Sequence, residues 1–522
     1  MEKKKKFGLL ICIIVGGILL GGIIMGVYME PVEEAPKQEL VVGLDMDIYG
    51  LGPGNNGLYY LTFLAYNGLV ELDADFNKKP GLAESWEMSD DGKEWTFHLR
   101  KDVKFHDGTE CGCEDVKFSI ERLIKEKYYR MLVVKEIICL DNYTVKFVLK
   151  KPTYVFASDL SMQHTPIVST TSVDEGGKFV KAIGTGPFKP VEWVKEQKVV
   201  LVRNDEYWGG TPKLEKITFK IIPDPETRAI ALETGEIDLM DCRGSLTAVS
   251  RLKEYPELKV LSKTAQTAEL IFFRTQKEPF NDIRVRKAIN YAIDVNGIIT
   301  SLLKDVAIPA EHLFSPAFQQ FRNPTLKTIG YNPEQAKQLL EEAGWKDTNG
   351  EGILDKNGMP FKVTLTFNAK SSDHPVIAEA IQAQLKKVGI DLELQAVEYA
   401  VQRNVLATGD YEMLMISHWS IPHDDPSRAY YYYYSKSTFS SVSPIFTNEK
   451  LDRLIDRFEI TVDEEERLKL HQDIQKEIMD NVPAVFLYNG INNIAMKKSL
   501  QDFEVYTGCW QVYKSFEKAW IE

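Results

Sequence analysis

Apolar residues alternate with polar ones at Trp95–Leu99 and Tyr143–Leu149, the period of a strand with one buried face. Short apolar runs between turn residues predict further strands at Leu40–Asp45, Lys198–Arg203, Ile217–Ile222, Lys362–Phe367 and Leu392–Ala396, with two short closing strands at Val485–Leu487 and Asn493–Met496. Apolar spacing of three and four predicts helices at Tyr60–Leu69, Asp115–Ile124, Pro225–Thr234, Val285–Asp294, Pro333–Ala343, Val376–Val388 and Glu464–Met479. Asn281 or Asp282 can cap the helix at 285, and Gly235 and Gly344 stand where two others should end. Strands and helices alternate without an internal repeat, so the fold class is α/β with mixed sheets.

The first thirty residues follow another pattern. Lys3–Lys6 form a cationic cluster, and Phe7–Met29 is an uncharged, apolar run of 23 residues. As a helix it reaches about 34 Å, enough to cross a hydrocarbon core of roughly 30 Å. The lysines belong on the cytoplasmic side, which places everything after the run outside. Residues 1–29 therefore read as an uncleaved transmembrane anchor or a signal peptide, and 30–39 as a solvated spacer. With 522 residues, the remainder is too long for one core. A formal charge of −13 argues against a nucleic-acid partner, because no broad cationic surface is available.

Candidate chemistry is sparse. Gly50–Gly54 is glycine-rich, but no Lys-Ser/Thr follows at phosphate-loop spacing. No Gly-x-Ser-x-Gly elbow or His-Glu-x-x-His helix occurs, which counts only weakly against an anchored hydrolase because catalytic groups often lie far apart in sequence; a binding protein rather than an enzyme is the expectation, with that hydrolase as the opposing class. The cysteines are Cys12, Cys111, Cys113, Cys139, Cys242 and Cys509; five lie beyond the apolar run and cannot all pair. Cys111-Gly-Cys113 is either half of a metal site or a loop ahead of a helix. Asp347–Asp355 imitates a calcium loop, but Gly358 stands where a bidentate Glu is needed, so a polar turn is expected. No cofactor is expected.

A series of segments occurs in fixed order: Tyr66-Asn-Gly-Leu-Val70, Pro80-Gly-Leu-Ala-Glu-Ser-Trp86, Ser89-Asp-Asp-Gly92 with Trp95–Arg100, and Glu114–Ser119. Gly184-Thr-Gly-Pro-Phe188, Tyr207-Trp208-Gly209, Ile222-Pro-Asp-Pro225, Glu233–Asp238, Val285–Ile289, Gly344-Trp345 and Trp419 follow. The set resembles the family 5 extracellular solute-binding proteins, the receptors of dipeptide, oligopeptide and nickel ABC importers. The resemblance implies a two-lobed periplasmic-binding-protein fold (class II, large family 5 type). Lobe I would span 40–268 plus 490–522, with an inserted subdomain at about 80–200, and lobe II would span 269–489. It implies a monomer on the extracytoplasmic face of the membrane, or a periplasmic or secreted one if the helix is cleaved. Its partners would be two permease subunits and their ATPases.

The same resemblance puts the ligand cleft around 419–434. Trp419 is expected as an apolar wall, Asp425 as the anchor of a peptide α-ammonium, and Arg428 or Arg130 as the partner of a ligand carboxylate. Tyr430 or Tyr431 is expected to line the cleft, facing Asn55, Asn56 and Tyr59 from lobe I. Arg130 and His164 fall near segments that supply chelate-binding arginines in nickel receptors. His418 and His423 are candidate metal ligands, although an extended strand would turn them to opposite faces; His423 alone is expected to touch the ligand. The loop 436–443 lacks the histidine of nickel receptors. A short peptide is the expected ligand, and a nickel chelate is the alternative.

Overall fold

Eleven strands join into one mixed sheet in this computed structural model, which describes residues 36–54, 57–419, 425–437, 445, 447–508 and 511–522, with backbone alone at 418 and 419. Two long antiparallel strands, Leu258–Phe273 and Ala484–Lys497, run through the middle of the sheet, pairing from Leu258 with Lys497 to Phe272 with Ala484. On one side follow Leu239–Asp241, Glu39–Leu44, Lys216–Ile221, Lys198–Arg203 and Phe188–Val194; on the other follow Met413–Trp419, Lys362–Asn368 and Asp391–Val397. The apolar cores divide the same way. Leu40, Phe219, Met496 and Phe516 belong to a core of the first half, and Phe97, Ile120 and Phe147 to another. Ile271, Ile289, Leu365 and Leu487 belong to a core of the second half. Phe76 of the first half reaches into the other side and stacks on Phe318 at 5.6 Å.

Local signals explain most element boundaries. Asp282 caps the helix Ile283–Ala292 by accepting from the Arg284 N–H at 2.8 Å. Gly235 adopts φ +76 after the helix Pro225–Glu233, and Gly344 adopts φ +91 after Pro333–Glu342. Two expectations need correction, and one long strand carries no sequence pattern. The helix expected at Tyr60–Leu69 ends at Ala65, where the Gly186 N–H bonds the Ala65 carbonyl and Tyr66 turns extended. The closing strands Val485–Leu487 and Asn493–Met496 are one strand, because the polar stretch Asn489–Asn492 still pairs along its backbone with Lys263–Ala268 and, at Asn489 and Gly490, with Ile308 and Ala307. Its long partner, Leu258–Phe273, escaped the pattern because residues 262–268 neither alternate nor are apolar.

Cys111 and Cys113 do not act as a pair. Cys113, the first residue of the helix Cys113–Lys125, forms a disulfide with Cys139 on the strand Val134–Asp141, and Cys111 stays buried and reduced. The bridge closes a loop with a sequence separation of 26. Changing both residues to serine is expected to cost on the order of 3 kcal/mol by the loop-entropy argument, read as a lower urea midpoint. The loop at 347–355 is a polar turn: Asp347 accepts from Gly350 and Gly352 N–H groups at 2.8 and 3.0 Å, and Asp355 from Thr348. The expected anchor at 7–29 lies outside the described residues, and among those described no helix is long and apolar enough to cross a membrane.

Candidate functional site

A cavity of about 560 Å³ opens between the two halves. Tyr129, Arg130 and Asp159 line it from the first half, and Arg428, Tyr431 and Glu459 from the second. The second-half residues are placed by a short 3₁₀ helix, Pro426–Tyr432, which Asp425 caps through the Ser427 N–H at 2.8 Å. Three residues per turn put Arg428 and Tyr431 on one face, and both line the cavity, as does Tyr434 just past the helix end. The same period turns Tyr430 and Tyr433 inward, each nearly fully buried in the core. Tyr430 is thus a core residue rather than a cleft residue, with its hydroxyl 2.7 Å from His471 Nδ1.

Charge in the cavity converges on Asp159. Arg428 Nη2 donates to both of its oxygens, at 3.0 and 3.3 Å, and Arg130 donates to the same carboxylate from within the first half. Arg428 Nη1 also donates to the Tyr431 hydroxyl at 2.7 Å, and that hydroxyl donates to Glu459 at 3.1 Å. Lys151 reaches across to Glu459 at 3.2 Å. Burial opposes the charge on Arg428, but Asp159 beside it prevails and raises its pKa well above the usual value. Arg130 is also raised against burial, by Tyr129 and Asp159. Two buried guanidiniums thus share one carboxylate, and Arg130 Nε and Nη2 and Arg428 Nε are buried with no hydrogen-bond partner.

Asp425, expected as the ligand's anchor, is turned into the second half, where two residues of that half face it. It is 4% exposed, with Arg467 Nη2 at 3.0 Å and His471 Nε2 at 3.5 Å. Burial alone would raise its pKa, but His471 and Arg467 outweigh it and hold the carboxyl well below its ordinary range. Its charge is already satisfied inside the second half.

Tyr59 and His164 meet around Gly54. The Tyr59 N–H donates to the Gly54 carbonyl at 3.1 Å, and Tyr59 itself is left-handed at φ +51. The His164 ring stacks on Tyr128 at 5.0 Å and presses on Gly54, where a Cβ would come within 2.7 Å of its Cδ2. Burial and then Arg130 push the His164 pKa down to about 4, which keeps the ring neutral at physiological pH. Asn55, Asn56 and His423, and the side chains of His418 and Trp419, lie outside the described residues. Among those described, no group of three His, Cys, Asp or Glu residues could hold a metal ion.

A second cavity, about 360 Å³, borders the long strand pair and is lined by Glu269, Asp373, Ser417 and Tyr488 among others. Buried Glu269 accepts from the Ser417 hydroxyl at 2.6 Å and lies 2.9 Å from His374 Nε2. Burial lowers the His374 pKa, but Glu269 more than reverses this and the net shift is upward from 6.5. Stability from this pair is complete below the unfolded value and is lost as pH rises through the raised one. Glu269 is itself raised by burial, with His374 holding it down, so the urea midpoint is expected to be higher at pH 6 than at pH 8.5, and the double variant H374Q/E269Q should shrink that difference.

The arrangement, two halves on a shared strand pair with a charged cavity between them, is that of a protein built to enclose a small solute. The chain belongs to the bacterial extracellular solute-binding proteins, family 5, whose model matches residues 77–441. It is 33% identical over 468 residues to the nickel-binding periplasmic protein of Escherichia coli (strain K12), covering 84% of this chain and 86% of that one. It is 30% identical over 478 residues to the oligopeptide-binding protein AppA of Bacillus subtilis (strain 168), covering 88% and 86%. The solved structure of NikA from Brucella suis in complex with Fe(III)-EDTA matches with a TM-score of 0.85 and 28% identity, over 93% of this chain and all of that one.

Proposed function

We propose that the chain is the substrate-binding subunit of an ABC importer, tethered to the extracytoplasmic face of the membrane by its N-terminal run. In this reading it captures a short peptide between its halves and releases it chemically unchanged to the permease. The observation that carries the reading is the pair of buried guanidiniums with unfilled N–H donors. Buried donors without partners cost free energy, and a ligand carboxylate would satisfy them with charge-assisted bonds. Glu459 and Asp456 line the same cavity, so a ligand ammonium would also find a partner there. Arg130 and Arg428 would hold the carboxylate, Tyr129 and Tyr431 would flank it, and Tyr59, His164, Asn55, Asn56, Trp419 and His423 would complete the wall.

A second reading, a metal carried in a chelate, is favoured by the likeness to a nickel-binding protein and to a receptor holding Fe(III)-EDTA. The chelate's carboxylates would use the same arginines, and the neutral His164 ring suits a neighbouring metal. Protein purified without chelators would be denatured, and the released small molecules identified by mass spectrometry alongside metal analysis. Isothermal titration with di- and tripeptides and with nickel and iron chelates would follow. The first reading expects peptide and micromolar affinity, about 8 kcal/mol. One equivalent of metal without peptide selects the second, and conversion of any ligand to product overturns both.

A further inference from the structure

Asp159 is fixed within the first half: its N–H donates to the Val155 carbonyl at 2.9 Å, and its own carbonyl accepts from the Thr165 hydroxyl at 3.2 Å. Arg428 is held in the second half by Tyr431. The carboxylate therefore cannot follow Arg428 if the halves separate, and separation must break both bonds between them. The side chains are 1% and 11% exposed, so these bonds form in a nearly dry setting where charge interactions are strong.

Arg130 acts in the opposite sense. It lies wholly within the first half and is bonded to the same carboxylate. Bringing Arg428 to Asp159 therefore also brings two guanidiniums together over one negative charge. Lys151 and Glu459 pair with each other and leave that sum unchanged. Closure of the empty protein is favoured by Asp159 and opposed by Arg130, and a ligand carboxylate cancels the opposition.

We infer that Asp159, Arg130 and Arg428 form an electrostatic latch, with Asp159 as the positioning residue that sets how far the empty receptor closes. This rests on the receptor reading above and adds the element that couples closure to ligand charge. Phe76 against Phe318 and Arg467 over the Tyr154 ring at 4.5 Å also cross between the halves, but neither distinguishes an anionic ligand from a neutral one.

The test uses the full chain in nanodiscs, with one fluorophore on each half, and reads the distance between halves by energy transfer without ligand. Asp159→Asn and Arg428→Gln are each expected to lower the closed-to-open ratio, by on the order of tenfold or more. Arg130→Gln is expected to raise it severalfold, because a neutral pair then remains. The double variant D159N/R428Q should match either single one, since both remove the same contact. Asp159→Glu, which keeps the charge, should stay near wild type and separates the latch from a folding defect. A merely structural role would shift all variants in one direction, and that result, or no shift, overturns the latch. A titration with dialanine and with Fe(III)-EDTA runs in parallel. If the ligand-free distances sort by sign but neither probe binds, the ligand reading fails and the latch stands.

Discussion

Asp425→Asn is expected to lower stability by about 3–5 kcal/mol, the cost of leaving one member of a buried ion pair alone. Asparagine is nearly isosteric and is itself a good cap, so it can still accept from the Ser427 N–H. What it removes is the charge facing Arg467 and His471. Arg467 keeps its bonds to the Phe458 and Thr461 carbonyls at 2.9 and 3.0 Å but loses its only described anion at hydrogen-bond distance, while 4% exposed. The wild-type carboxyl titrates well below 3.8, so its contribution is present above that value and is lost only as pH falls through the depressed one. The variant should therefore unfold earlier in both urea and acid. If its urea midpoint and acid transition match wild type, the buried pairing described for Asp425 is wrong.

The second large effect falls on binding. Arg428→Ala is expected to weaken ligand affinity by about 2–5 kcal/mol, or roughly 30- to several-thousandfold, because it truncates one side of a buried, hydrogen-bonded charge site. Asp159 would remain paired with Arg130, so the first half should keep its fold, and the loss should appear in titration rather than in the urea midpoint. Unchanged affinity with a large loss of stability would place Arg428 in the scaffold instead.

The parts of this molecule that were legible in the sequence depend on neighbours in the chain. The alternation at 95–99 and 143–149, the Asp282 cap and the glycines after two helices act within a few residues, and their elements appear within a residue or two of the expected bounds. The site depends on distant pairs. Asp159 meets Arg428 across 269 positions and sits in a segment that reads as plain apolar core. Arg428 and Tyr431 could be singled out through family resemblance, but separating Tyr431 from Tyr430 needs the three-residue period of a helix that five tyrosines in a row conceal. The fate of Asp425 was better hidden. Its partners Arg467 and His471, four apart on one face of the helix Glu464–Asp480, become a pair for it only once that helix packs beneath the cap. The disulfide was hidden for the same reason, since only the packing of helix Cys113–Lys125 against strand Val134–Asp141 selects Cys139 over the other cysteines.

In the proposed function, capture of a small ligand brings the two halves together. Small-angle neutron scattering of the full chain in contrast-matched detergent tests it most directly, before and after addition of the ligand recovered from the purified protein. The expected result is a smaller radius of gyration with ligand, and in Arg130→Gln a smaller radius without ligand than in wild type. An unchanged radius at saturating ligand would contradict it.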